Sequence, residues 1–232
     1  MPQLFNRSMN PISKILVLGL PIMFAGTCVG LATFYRSGYA TGMNEVVKQP
    51  VPFSHKHHVG ELGIDCRYCH NSVETSGYAG IPPTKICMNC HQQIWTGAEL
   101  LEPVRESFRL DKPIVWTKVH NLPQYTYFNH SIHVAKGVGC VECHDRVDEM
   151  PLMFQSKTLL MEWCLKCHRD PESRLRPLGE VMHMTWKPAD KTINPKTGEP
   201  YPTDPGELAK LLYNEHKIRD ALTLTSCSIC HR

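Results

Sequence analysis

Ten of the eleven cysteines fall into five copies of one pattern, Cys-x-x-Cys-His. The copies are Cys66, Cys69 and His70; Cys87, Cys90 and His91; Cys140, Cys143 and His144; Cys164, Cys167 and His168; and Cys227, Cys230 and His231. Two thiols at this spacing reach the two vinyl groups on one edge of a porphyrin and form thioether bonds, and the His that follows lies under the iron. The pattern predicts five covalently bound haem c groups, with His70, His91, His144, His168 and His231 as proximal ligands. Zinc also uses Cys-x-x-Cys units, but it gives no reason for a His closing every copy. A disulfide framework leaves the same His unexplained.

The sixth ligand of each iron comes from outside these motifs. Eight His remain: His55, His57, His58, His120, His130, His133, His183 and His216. The segments Phe53 to His58 and Phe128 to His133 share the frame Phe-x-His-x-x-His, and each is followed by two haem motifs. The chain reads as a duplicated two-haem unit with the fifth motif alone at the C-terminus. Two His three apart lie on nearly one face of a helical turn, so one turn can serve two irons.

This frame resembles that of the class III multihaem cytochromes c. The resemblance implies that His55 ligates the iron bound by His70 and His58 that bound by His91. Likewise His130 pairs with His144, and His133 with His168. The fifth distal ligand is expected to be His120, in an apolar and aromatic stretch ahead of the second unit. His57, His183 and His216 read as solvent-facing or structural. One haem with a Met ligand is the alternative, with Met150, Met153, Met161 and Met184 in view; core packing is the ordinary role of such Met.

The elements that carry these motifs are short. Five haems in a chain of 232 residues leave too few side chains for a large core, so the haems themselves are expected to be the core. The expected fold class is mainly α and irregular, with a single N-terminal transmembrane helix and little or no sheet. Ile15 to Tyr35 is a run without charge, about 32 Å long as a helix, enough for a hydrocarbon layer of about 30 Å. An uncleaved anchor fits better than a signal peptide, whose apolar region is about 7–15 residues. Gly26 and Gly30 give the small-xxx-small spacing that lets a partner helix approach, and Cys28 reads as an inert membrane thiol. Residues 1–36 form the N-terminal segment and anchor. Residues 37–232 form the exported pentahaem domain, with dihaem units at 53–91 and 128–168 and a linker, helix and fifth haem over 186–232. In the linker, five Pro between Pro188 and Pro205 predict an extended connection, and a helix is expected near Gly206 to Leu222.

Flanking charges nearly balance across the apolar run, so they do not orient it. Covalent haem attachment takes place on the outer face of the bacterial cell membrane. That puts the N-terminus in the cytoplasm and the haem domain on the periplasmic side of the inner membrane. The net charge of +3 excludes a basic field for nucleic acid. Haem enzymes need an open iron position, and here spare His and Met suffice to close every one. The chain therefore reads as an electron-transfer subunit with no catalytic residues of its own.

The stretches Phe53 to His91, with Gly80-Ile81-Pro82-Pro83-Thr84 inside, and Val119 to His168, with Leu159-Leu160-Met161-Glu162-Trp163-Cys164, resemble the pentahaem cytochrome c subunit of bacterial alternative complex III. The resemblance implies a relay within a quinol-oxidising respiratory or photosynthetic complex, towards a periplasmic acceptor. It also implies the partners: an iron–sulfur subunit, polytopic quinol-binding membrane subunits, a monohaem cytochrome c and a soluble periplasmic electron carrier. The alternative is a multihaem quinol dehydrogenase of the NapC/NrfH type, oxidising quinol itself. Against it, the first haem motif follows Tyr35 by about thirty residues and no Cys-x-x-Cys-His-x-Met is present.

Overall fold

The computed structural model describes residues 6–231, so the first five residues of the N-terminal segment and Arg232 lie outside the described residues. The chain divides into two compact units, one ending at Met43 and one starting at Asn44. The first unit is dominated by the helix Met9–Arg36, 28 residues long, and this is the one helix among the described residues long and apolar enough to cross a membrane. It starts six residues before the uncharged run, because Asn10, Ser13 and Lys14 are tolerated in its first turns, with the Ser13 hydroxyl donating to the Asn10 carbonyl. Thr27 and Thr33 turn their hydroxyls back onto the carbonyls of Met23 and Val29, so neither leaves an unpaired group on an apolar surface. Nothing lies within 4 Å of where side chains at Gly26 and Gly30 would point.

The second unit is short helices joined by turns. No β-strand occurs among the described residues, only the isolated bridges Val46 to Phe154, Val138 to Leu175 and Ile193 to Pro200. This is the mainly helical, sheet-free architecture that the spacing of the haem motifs predicts. A domain of this size ordinarily has one contiguous apolar core. Here the buried apolar side chains form separate small clusters. One joins Val51, Met88, Leu101 and Val104; another joins Val147, Met150 and Met184; the third joins Leu175, Trp186, Tyr201, Leu208 and Leu212. The first two touch Cys87 and Cys140, which belong to haem motifs.

Two expectations are corrected. Residues 186–206 are not simply an extended connection. Trp186 and Tyr201 are buried against Leu208 and Leu212, and the Trp186 indole N–H donates to the Thr192 hydroxyl at 2.8 Å. Proline composition signals the absence of helix but says nothing about where the aromatic residues between the prolines bury. The helix expected over Gly206 to Leu222 is Pro205–Glu215, opened by Asp204, which accepts from the Glu207 N–H. It stops because Lys217 adopts φ of +51°; a second helix, Ala221–Leu224, follows. Leu208 and Leu212 are the buried face, whereas Leu222 is 84% exposed.

Candidate functional site

An imidazole that binds a metal through one nitrogen is usually oriented by a hydrogen bond from the other, which fixes its tautomer. In seven of the ten His assigned to iron from the sequence, Nδ1 sits against a backbone carbonyl. His70 reaches the Gly80 oxygen at 2.6 Å, His58 that of Ser54 at 2.8 Å, and His91 that of Ile94 at 3.4 Å. His130 reaches Gly77 at 2.9 Å and His133 reaches Asn129 at 2.7 Å. His168 reaches Leu224 at 2.8 Å and His231 reaches Tyr125 at 2.9 Å. A carbonyl only accepts, so Nδ1 carries the proton and the Nε2 lone pair is left free for a metal.

The elements behind these rings differ between the two copies of the frame. In the first, residues Lys56–Glu61 wind as a π-helix: the Leu62 N–H donates to the His57 carbonyl and the Ile64 N–H goes to the His58 carbonyl. In the second, His130–Ala135 is an α-helix capped by Asn129, whose side chain accepts from the Ile132 N–H. In both, the Phe stacks on the second His: Phe53 on His58 at 4.4 Å and Phe128 on His133 at 4.5 Å.

The structure brings the rings together in pairs. Ring centres are 6.5 Å apart for His55 and His70, 6.1 Å for His58 and His91, 6.4 Å for His130 and His144, and 6.2 Å for His133 and His168. These are the rings that the class III resemblance pairs. Two imidazoles on opposite sides of one metal, with metal–nitrogen bonds of about 2 Å, have ring centres about 6 Å apart. The spacing is too wide for ring stacking in contact and fits an atom between the rings. Burial, with His70 and His58 as further causes, holds His55 down to about 4, and burial with His120 and His130 beside it holds His144 down to about 3. Both rings are neutral at physiological pH, the state a metal requires.

His120, expected to be the fifth distal ligand, lies beside the third motif. Its ring lies 4.4 Å from that of His144, at 70°, and its Nε2 is buried without a hydrogen-bond partner. The ring contact of His231 is with Tyr125, at 5.9 Å. His216 is buried and donates through Nδ1 to the Lys136 carbonyl at 3.1 Å, whereas His183 pairs with Glu180 and His57 with Glu61. Met150 and Met184 are packed in the cluster with Val147, Met153 lies partly buried against it, and Met161 is 67% exposed.

No disulfide joins the cysteines, and among the described residues no group of three or more His, Cys, Asp or Glu is placed to hold a metal ion. Burial, followed by the facing Cys167, pushes the Cys143 thiol up to about 12; burial, followed by Cys66, pushes Cys140 up to about 11. The ten motif cysteines instead stand two by two on single helical turns, each followed by a His held through Nδ1 or paired with a second ring. These residues fit covalently attached haem.

No family model matches the chain. Over 142 residues it is 30% identical to the multihaem cytochrome c subunit of menaquinone reductase from Nitratidesulfovibrio vulgaris, a match covering 52% of this chain and 68% of that protein. The chain is a multihaem cytochrome c. The cytochrome binds haem c covalently, and its scaffold is largely a set of short helices and turns that hold imidazoles and thiols in position. Sequence reasoning did not find the carbonyls that orient the rings, because backbone groups leave no mark on residue type. Gly77 and Gly80 are the one trace: both lie in the loop that follows the first motif.

Proposed function

We propose that this cytochrome is a membrane-anchored pentahaem electron-transfer subunit of a quinol-linked complex of the alternative complex III type. Haem iron supplies one-electron oxidation and reduction when bound. The polypeptide binds five haems through Cys66 and Cys69, Cys87 and Cys90, Cys140 and Cys143, Cys164 and Cys167, and Cys227 and Cys230. His70, His91, His144, His168 and His231 are the proximal ligands, and His55, His58, His130 and His133 close the opposite side of four sites. At those four sites, closing both sides denies a substrate access to iron, so they pass electrons without transforming a substrate. The observation that carries this reading is the set of four imidazole pairs at 6.1–6.5 Å.

The helix Met9–Arg36 supplies the membrane anchor, with the N-terminus in the cytoplasm and residues 37–232 on the periplasmic side. Quinone chemistry belongs to partner subunits: an iron–sulfur protein and polytopic membrane subunits, with a monohaem cytochrome c and a soluble carrier on the periplasmic side. The relative's name favours a second reading for direction, in which the same relay delivers electrons towards menaquinone. Purification through this chain in mild detergent tests the assignment. Co-isolation of an iron–sulfur subunit and polytopic subunits is expected, and quinol-dependent haem reduction by the isolated chain alone would contradict it. Adding quinol or reduced carrier to the intact complex then separates the two directions.

A further inference from the structure

The chain order of the five haem motifs is not their order in space. We infer that the sites are arranged second, first, third, fourth, fifth, so that the first motif lies between the second and the third. This rests on the five-site reading above and is carried by the backbone and side-chain contacts that join neighbouring motifs.

The second and first motifs are joined directly, the Asn89 amide donating to the Tyr68 hydroxyl at 2.9 Å. They also share one segment: His55, which immediately precedes the π-helix Lys56–Glu61, faces His70, and His58 inside it faces His91. The first and third motifs are joined by a single loop. The Gly80 carbonyl orients His70, and three residues earlier the Gly77 carbonyl accepts from both the backbone N–H of His130, at 3.2 Å, and its Nδ1, at 2.9 Å. The Ser131 N–H bonds the Ser76 carbonyl in the same loop, and the Lys56 N–H bonds Met150, just after the third motif. One loop thus sets the imidazoles of two different sites, and those sites belong to different copies of the duplicated unit.

The third and fourth motifs share the helix His130–Ala135, and Arg174, beyond the fourth motif, donates to Glu142 inside the third at 2.9 Å. The fourth and fifth are joined where the Leu224 carbonyl, three residues before Cys227, orients His168. Exposure agrees independently. Of the ten motif cysteines only Cys90 and Cys227 are exposed, and they belong to the second and fifth motifs, the two ends of this order. The ends are where a relay exchanges electrons with other molecules.

Replacing a distal His by Ala in the holoprotein makes that site high-spin and disturbs the potentials and line shapes of the sites touching it. Followed by EPR during a redox titration, His58→Ala is expected to disturb one other site and His55→Ala two. The reverse result, two for His58→Ala and one for His55→Ala, would restore the chain order and overturn the inference, as would equal counts. Iron positions in a density map of the unmodified holoprotein decide the same question without a variant: the first iron between the second and third supports the order, and any other arrangement overturns it. A haem count below five on the denatured chain would overturn the five-site reading itself, and the order with it.

Discussion

Replacing His133 by Ala is expected to turn one low-spin haem high-spin while all haems stay attached. The ring of His133 is fixed on three sides. Its Nδ1 lies 2.7 Å from the Asn129 carbonyl, Phe128 stacks on it at 4.5 Å, and His168 faces it across 6.2 Å. Alanine removes the ring and cannot bring another nitrogen to the same place, whereas Cys164 and Cys167 still hold the macrocycle by thioether bonds. EPR of the oxidised protein should show a high-spin signal near one fifth of the total haem, with the low-spin signal reduced by the same amount. An unchanged low-spin signal would remove His133 from the ligand set. Full loss of haem would show instead that the distal ring, and not the thioethers, retains it.

Replacing Gly137 by Ala is expected to destabilise the haem domain strongly. Gly137 lies between the helix His130–Ala135 and the motif Cys140–His144, with φ of +77°. A side chain there costs about 1–2 kcal/mol from the left-handed backbone alone. The added Cβ would also stand 2.5 Å from the Arg176 carbonyl oxygen and 2.5 Å from Cε1 of His216. Neither can move freely: the Arg176 N–H donates to the Gly137 carbonyl at 2.8 Å, and His216 is held at the Lys136 carbonyl. Overpacking of this kind costs roughly 1–3 kcal/mol more. A fall in unfolding temperature of roughly 5–15 °C is expected for a domain of this size, read by circular dichroism of the holoprotein. A midpoint within a degree or two of the unmodified protein would contradict this account of the turn.

The fold class was legible in the sequence because the haem motifs and the apolar run are local patterns. Each Cys-x-x-Cys-His occupies one turn, and the Phe-x-His-x-x-His frame occupies another, so periodicity alone places both rings of each turn on one side. Which ring faces which motif came from the class III resemblance, not from the periodicity of those two turns. What stayed hidden is non-local. His231 is oriented by the Tyr125 carbonyl and His168 by that of Leu224, far apart in the chain and unmarked by residue type. The contact of His120 with His144 is hidden for the same reason: nothing in the stretch around His120 marks it. The linker misleads for a third reason, since Pro188 to Pro205 advertise extension while Trp186, just before them, and Tyr201, among them, find apolar partners.

The spatial order of the sites has a consequence for how the duplication works. The loop from Ser76 to Gly80 belongs to the first copy, yet it orients a ring of the second. The two copies are therefore not independent: the first supplies the carbonyl that orients His130 of the second. A variant that loosens this loop should disturb sites in both copies, which a pair of independent modules would not show.

The most direct measurement is the mass of the denatured polypeptide together with its alkaline pyridine haem spectrum, which counts thioether-linked haems per chain. The account predicts five for every chain, with the added mass surviving denaturation. A colourless chain, a count other than five, or haem released by denaturation would contradict it.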